Sequence, residues 1–184
     1  GSSGAVPARL RLTTVALTAL TFLQIYLGAL VAGLRAGKAY NTWPEIDGGL
    51  IPDAGRLLFE TPWWRNFFDN VLTVQFSHRM VAYLLWAVAA AHMIDVLASR
   101  TTAKLGRGAI ALLAAVTVQA ALGIWTLLLA VPLGPALLHQ AGAIVVLTIV
   151  LLHTAAATGE GRGAAPAGEA GGLPPGVDGA ILNR

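Results

Sequence analysis

From Gly108 to Gly159 the chain contains no Asp, Glu, Lys or Arg, and a stretch that long is more than one membrane crossing requires. A crossing helix takes roughly 20 mostly apolar residues. The stretch therefore holds two, and Val131-Pro132-Leu133-Gly134-Pro135 supplies the helix-breaking turn between them. Two more apolar runs precede it. One extends from Leu12 to Leu34, the other from about Val71 to Ala98, with His78 and Arg79 near its start and Asp95 near its end. Composition agrees, with 56% hydrophobic and 11% charged residues, against about 25% charged in a typical soluble domain. Helices are expected over 12–34, 71–98, 108–131 and 136–158. Lipid offers backbone amides no partners, so the expected fold is all-α, an integral membrane four-helix bundle in contact with the lipid bilayer.

Charge sets the expected direction. Arg9 and Arg11 precede span one, and Arg100, Lys104 and Arg107 fill the link between spans two and three, so these ends belong inside. An N-in, C-in topology follows, with the connection from Arg35 to Asn70 on the outer face. Within that connection Thr61 is expected to cap and Pro62 to open a short helix placing Trp63, Trp64, Phe67 and Phe68 on one side. This amphipathic segment suits either an aromatic anchor at the membrane surface or a helix packed on the end of the bundle. The domain is expected to span 1–158, and the Gly-, Ala- and Pro-rich tail of 159–184 to be disordered. Gly1 to Gly4 reads as a linker, and the start without Met as that of a cut or processed chain.

Inventory removes several chemistries. With no cysteine, disulfides, thiolate zinc sites, cysteine-ligated iron-sulfur clusters and cysteine nucleophiles are excluded. A formal charge of +3 without a Lys/Arg run makes no nucleic-acid footprint, so no nucleic-acid partner is expected.

Ionisable groups inside the spans are the candidates for function, since burying them in hydrocarbon costs free energy. All four histidines are there. His78 lies early in span two and His139 early in span four, at similar depth near the outer surface. His92 and His153 follow each of them by fourteen residues, roughly 21 Å deeper and on nearly the same helix face. Two cross-helix pairs become possible, and an imidazole from each of two facing helices can hold a haem iron from opposite sides. Ala82, Ala141, Gly142 and Ala143 are small enough to leave room for a macrocycle near the outer pair, and Arg79 is placed to meet a propionate. The inner pair has no Arg or Lys at its own depth, and pairing of His92 with the nearby Asp95 is its plainer expectation. Two rivals stay open: a dihaem electron carrier using both pairs, and a cofactor-free scaffold whose histidines only join helices.

Several segments carry a family resemblance. They are Gly28-Ala-Leu-Val-Ala-Gly-Leu-Arg-Ala-Gly37 with Tyr40-Asn-Thr-Trp-Pro44, then Asn70-Val-Leu-Thr-Val-Gln-Phe-Ser-His-Arg79, Gln119-Ala-Ala-Leu-Gly-Ile-Trp-Thr-Leu127, and Pro135-Ala-Leu-Leu-His-Gln-Ala-Gly142. Through them the chain resembles the heme A synthase family, specifically its C-terminal four-helix half. The resemblance implies an oxidoreductase of haem A biosynthesis in cytochrome oxidase assembly, converting the haem O methyl to formyl. It implies that this half holds haem b, through its iron, on His78 and His139, and the expected propionate contact of Arg79 fits that assignment. It further implies that haem O reaches an N-terminal half or a second copy of the chain, in a homo-oligomer. The expected location is multi-pass in a bacterial inner (plasma) membrane, or the mitochondrial inner membrane in a eukaryote. Ser77 departs from the family pattern, which has Asp before the ligand, and the inner histidines lie outside that pattern.

Overall fold

A computed structural model of the chain describes residues 6–159. The expectations for Gly1 to Gly4 and for the tail after Gly159 lie outside the described residues. Four long helices, α1 (Ala8–Gly33), α4 (Val71–Ala98), α5 (Ala103–Leu128) and α6 (Leu133–Gly159), are each long and apolar enough to cross a membrane. Between α1 and α4 lie two single-turn helices, α2 (Ala36–Ala39) and α3 (Ala54–Leu57), and a 3₁₀ turn over Trp63–Phe67. No β-strand occurs among the described residues, apart from one isolated bridge between Ile46 and Gly49. The bundle is all-helical, as expected.

The helix over 71–98 has the expected bounds, while four of the other ends differ from the sequence reading by three to five residues. The third spanning helix begins at Ala103 rather than 108, taking Lys104 and Arg107 into its first turns. Thr102 is the reason: its side chain accepts from Leu105 N at 3.3 Å and caps the helix there, while long basic side chains can reach past an apolar boundary. The break between α5 and α6 falls at Leu129–Pro132, where Ala130 and Val131 adopt φ of 58° and 61°. A β-branched residue in the left-handed region is strained. Val131 is held there by its amide bond to the Thr126 carbonyl, 3.0 Å, and by its side chain, which abuts Gly37. The α5–α6 turn is thereby docked against the α1–α4 connection.

The helices form a ring in chain order. α1 packs against α4 and α6, and α5 packs against the same two, so α4 and α6 face each other on a diagonal. The end carrying the α1–α4 connection is called upper below, and the end carrying the N-terminus lower. A middle layer of Leu17, Leu85, Ala89, Leu112, Val116, Val146 and Val150 fills the centre with apolar side chains from all four helices. A second apolar cluster, Leu10, Val96, Leu105, Ala109 and Ala157 with Val6, closes the lower end.

The upper connection is bound to the bundle by side-chain amides. Asn70 caps α4, its Oδ1 accepting from Leu72 N at 3.0 Å and Thr73 N at 3.3 Å. The same side chain donates from Nδ2 to the carbonyls of Arg56 (2.9 Å) and Leu57 (3.2 Å) and to Asn66 Oδ1 (3.1 Å). Asn66 in turn donates to Glu60 O and Trp63 O, at 3.2 and 2.8 Å. The short helix expected after Thr61 is a 3₁₀ turn, and Thr61 does not cap it: Pro62 occupies the cap position, with no side-chain cap bond. The buried Asn66 amide, by taking up the Trp63 carbonyl, organises the segment in place of a threonine cap. Trp63, Trp64, Phe67 and Phe68 are all exposed, in edge-to-face pairs of Trp63 with Phe67 and Trp64 with Phe68.

Removing the Asn70 amide uncaps α4 and strands the Arg56 carbonyl, while the Leu57 carbonyl keeps its bond from the Thr73 hydroxyl. Asn70→Ala is expected to lower stability by about 1–2 kcal/mol, measured by unfolding in mixed detergent; an unchanged midpoint would show that water replaces the network.

Candidate functional site

The polar side chains buried within the helices fall into two layers, one on each side of the apolar middle. Each layer contains one histidine from α4 and one from α6, because fourteen residues separate the two histidines of each helix and bring both to nearly the same face.

In the upper layer His78 and His139 come from the diagonal helices α4 and α6. The flanking helices bring small residues and amides to them. Gly28 on α1 lies against the His78 ring, where an added Cβ would stand 3.3 Å from Cε1. Gly123 on α5 does the same for His139, where a Cβ would stand 2.8 Å from Cε1. Gln24 Nε2 is 3.1 Å from His78 Nδ1 and 3.3 Å from His78 Nε2. Gln119 Nε2 donates to the main-chain carbonyl of His139 at 2.7 Å. Several polar atoms of this layer are buried without a partner among the described residues: Gln24 Oε1, Gln119 Oε1 and His139 Nδ1. Clustered unpaired polar atoms around two imidazoles mark a place built for more than packing.

Arg79, next in sequence to His78, turns to the upper connection. It is 7% exposed and donates from its terminal nitrogens to Glu45 O (3.2 Å) and Tyr40 O (3.3 Å), leaving Nε without a partner. Gln75 donates to the same Tyr40 carbonyl at 2.6 Å. These bonds pin the segment around Tyr40 over the top of the histidine layer. Of the small residues expected to make room, Gly142 faces the Gln119 side chain rather than an imidazole. Gln140 is exposed.

The lower layer is closed on itself. His92 and His153 are each 3% exposed, and their Nε2 atoms lie 2.9 Å apart in a direct hydrogen bond. Thr13 orders the protons. Its hydroxyl lies 2.9 Å from the Arg9 carbonyl one turn back, and donating there leaves it to accept from His92 Nδ1–H, also 2.9 Å away. His92 Nε2 is then the acceptor and His153 Nε2–H the donor, while His153 Nδ1, packed against Gly108, has no partner. The expected pairing of His92 with Asp95 is not found. Asp95 instead accepts from Arg9 Nε (3.0 Å) and Arg9 Nη2 (3.0 Å), with Ser99 completing the cluster, because it lies toward the lower boundary where a guanidinium can reach it.

The two layers differ in what they can hold. No group of three or more His, Cys, Asp or Glu side chains able to hold a metal ion occurs among the described residues. A pair of imidazoles on opposite helices, with glycine beside each ring and an unpartnered ring nitrogen, fits a haem held from both faces better than a bare cation. In the lower layer each imidazole already uses its Nε2 on the other.

The profile of the cytochrome oxidase assembly protein family matches residues 2–151 of the chain. Among curated proteins, the heme A synthase of Rhodopseudomonas palustris is 64% identical over 148 residues, covering 80% of this chain and 39% of that relative. The heme A synthase of Bradyrhizobium diazoefficiens is 65% identical over 150 residues, covering 82% and 41%. A heme A synthase of another Bradyrhizobium strain is 56% identical over 173 residues, covering 90% and 48%. The chain thus spans less than half the length of these relatives. No solved structure matches it.

The lower pair yields a double-mutant test. His92→Ala leaves His153 Nε2–H without an acceptor in an apolar layer, at a cost of about 1–3 kcal/mol. His153→Ala is expected to cost a similar amount, and the double variant clearly less than the sum, since both singles break one shared bond. Strict additivity in detergent unfolding would dissolve the pair as a unit.

Proposed function

Because the chain belongs to the cytochrome oxidase assembly protein family, we propose that it is the haem b-holding half of a heme A synthase, a membrane oxidoreductase of haem A biosynthesis. The reaction assigned to the whole enzyme converts the haem O methyl to formyl. One observation carries the reading: the upper histidine pair, with a glycine against each ring and an unpartnered imidazole nitrogen, lies on helices that face each other across the bundle. His78 and His139 would be the axial ligands. Two imidazoles fill both axial positions of the iron, a ligand set suited to electron transfer rather than to binding oxygen.

The residues of the chain have distinct tasks around that group. Gly28 and Gly123 admit the rings close to the helix backbones, so that each imidazole is held along its edge. Arg79 sits at the upper boundary with Nε free to make a charge-assisted bond to a propionate, while its terminal nitrogens hold the loop carbonyls. The pinned segment from Tyr40 to Glu45 shields the histidine layer from water. The apolar middle layer keeps the lower polar layer electrically separate. Haem O, in this reading, is handled by the remainder of the enzyme, either an N-terminal half or a second copy of this chain, in the inner membrane of a bacterium or of a mitochondrion.

The dihaem alternative requires the lower pair to take a second iron. Its Nε2···Nε2 bond of 2.9 Å would have to open inside a sealed layer, so a single haem is the reading favoured. The 184-residue chain loaded with haem b is expected to give a low-spin, six-coordinate b-type spectrum with one haem per chain. That spectrum should be lost in His78→Ala and in His139→Ala and retained in His92→Ala and His153→Ala. Two haems per chain, with one lost on replacing His92, would instead establish the dihaem carrier, and a folded chain that never takes up haem would favour the scaffold.

A further inference from the structure

The bundle is one helix pair used twice. Shifting α1 (Ala8–Gly33) by 95 residues gives Ala103–Leu128, the bounds of α5, and shifting α4 (Val71–Ala98) by 61 gives 132–159, against Leu133–Gly159 for α6. The same two shifts carry the core of one pair onto that of the other. Leu10 falls on Leu105, Leu17 on Leu112 and Ala89 on Val150, each couple sharing one apolar layer. His78 falls on His139 and His92 on His153. Gln24-Ile-Tyr-Leu-Gly28 falls on Gln119-Ala-Ala-Leu-Gly123, so that the pattern Gln-x-x-Leu-Gly occurs in both.

Contacts obey the same rule. Gly28 lies against the ring of His78 and Gly123 against that of His139, while Thr13 meets His92 and its counterpart Gly108 meets His153. α1 and α5 run upward, α4 and α6 run downward, and each of the first two packs against both of the others. An approximate twofold axis along the bundle therefore exchanges α1 with α5, α4 with α6, and the two imidazoles within each layer. Departures from the repeat gather at the upper rim, where the counterparts of Gln75 and Arg79 are Ala136 and the exposed Gln140. Below the upper histidines the two pairs offer similar shapes. Ala82 and Ala143 stand one turn beyond each imidazole, and buried Thr21 matches buried Val116, a side chain of the same outline.

A haem held by its iron between His78 and His139 lies on that axis, with equivalent surroundings on its two faces. Turning it over, about the line that runs from between its propionates through the iron, returns both propionates to the upper rim and exchanges vinyl with methyl groups at the lower edge. The two propionates are chemically alike, so Arg79 does not tell the two orientations apart. Building on the haem b reading above, we propose that the upper site does not distinguish the faces of its haem and holds the group in both orientations. Such a site serves electron transfer, which uses the iron and its two imidazoles. It does not serve a reaction at one chosen ring methyl, which needs that methyl held in one place. On this reading the methyl oxidation falls to the remainder of the enzyme.

The test is proton NMR of the full chain loaded with haem b, in its ferric low-spin form, read once the spectrum has stopped changing so that the ratio is one of equilibrium. The shifted ring-methyl resonances are expected in two sets, the minor within roughly tenfold of the major, since a methylene-sized difference in fit moves such a ratio only about fourfold. Ala82→Val and Ala143→Val crowd the same place on opposite sides of the axis. One is expected to shift the ratio by about fourfold in one direction and the other by a similar factor in the opposite direction, with the double variant back near the parent. Should valine exclude the haem, the ratio in the parent chain decides by itself. One set of methyl resonances in the parent, or haem-bound valine variants that do not move the ratio in opposite directions, would overturn the proposal. A folded chain with no low-spin haem signal fails the haem b reading instead, and is told apart because no resonances of bound haem are then seen.

Discussion

Hydrocarbon offers no hydrogen-bond partners, so every polar group that this chain buries between its long helices has to be answered by another part of the chain or by something the chain binds. Backbone amides meet the demand by forming helices. Side chains meet it in different ways at the two ends. At the lower end Thr13, His92 and His153 answer one another in a chain of bonds, and Arg9 answers Asp95. At the upper end Gln24, Gln119 and His139 retain buried atoms with no answer, against His153 Nδ1 alone at the lower end. That contrast distinguishes the two layers, although both contain two histidines from the same two helices.

The arrangement also explains why the upper connection is so heavily bonded. A site close to the membrane boundary must be kept from water, and the cover has to be rigid if the imidazoles beneath are to hold their planes. Asn66 and Asn70 tie the connection to itself and to the start of α4, Arg79 and Gln75 hold Tyr40 and Glu45 over the histidine layer, and Val131 locks against Gly37. The cover uses neutral amides and main-chain carbonyls almost throughout, with Arg79 as the buried cation, so it costs little desolvation compared with ion pairs in the same position.

Much of this was legible in the residues. Charge-free runs located four long apolar helices, the fourteen-residue spacing placed two histidine pairs in two layers, and the break expected at Val131 to Pro135 was found a few residues earlier, at Leu129–Pro132. The helix ends were read less well, because Thr102 caps a helix that a charge count would begin later, and because Asn66 rather than Thr61 organises the 3₁₀ turn. Gln24, Gly28 and Gly123 were not picked out as parts of a site, although the repeated Gln-x-x-Leu-Gly was present as a signal. A glutamine or glycine in an apolar helix has many bland explanations, and only its neighbour decides among them. The same holds for Ser77: without a carboxylate beside His78 in the sequence, the polar group beside the ring comes from another helix.

By itself the sequence determined the class of fold, the number of crossings and the depth of each histidine, since these follow from local hydropathy and from the fixed rise and rotation of a helix. Tertiary structure alone decided which pair closes on itself, that Asp95 belongs to Arg9 rather than to His92, and that Gln24 lies beside His78. Those outcomes depend on how helices far apart in the chain are rotated toward one another. Rotation of that kind is set by packing between small and large side chains across the bundle, a property of pairs of helices that no single stretch of residues contains.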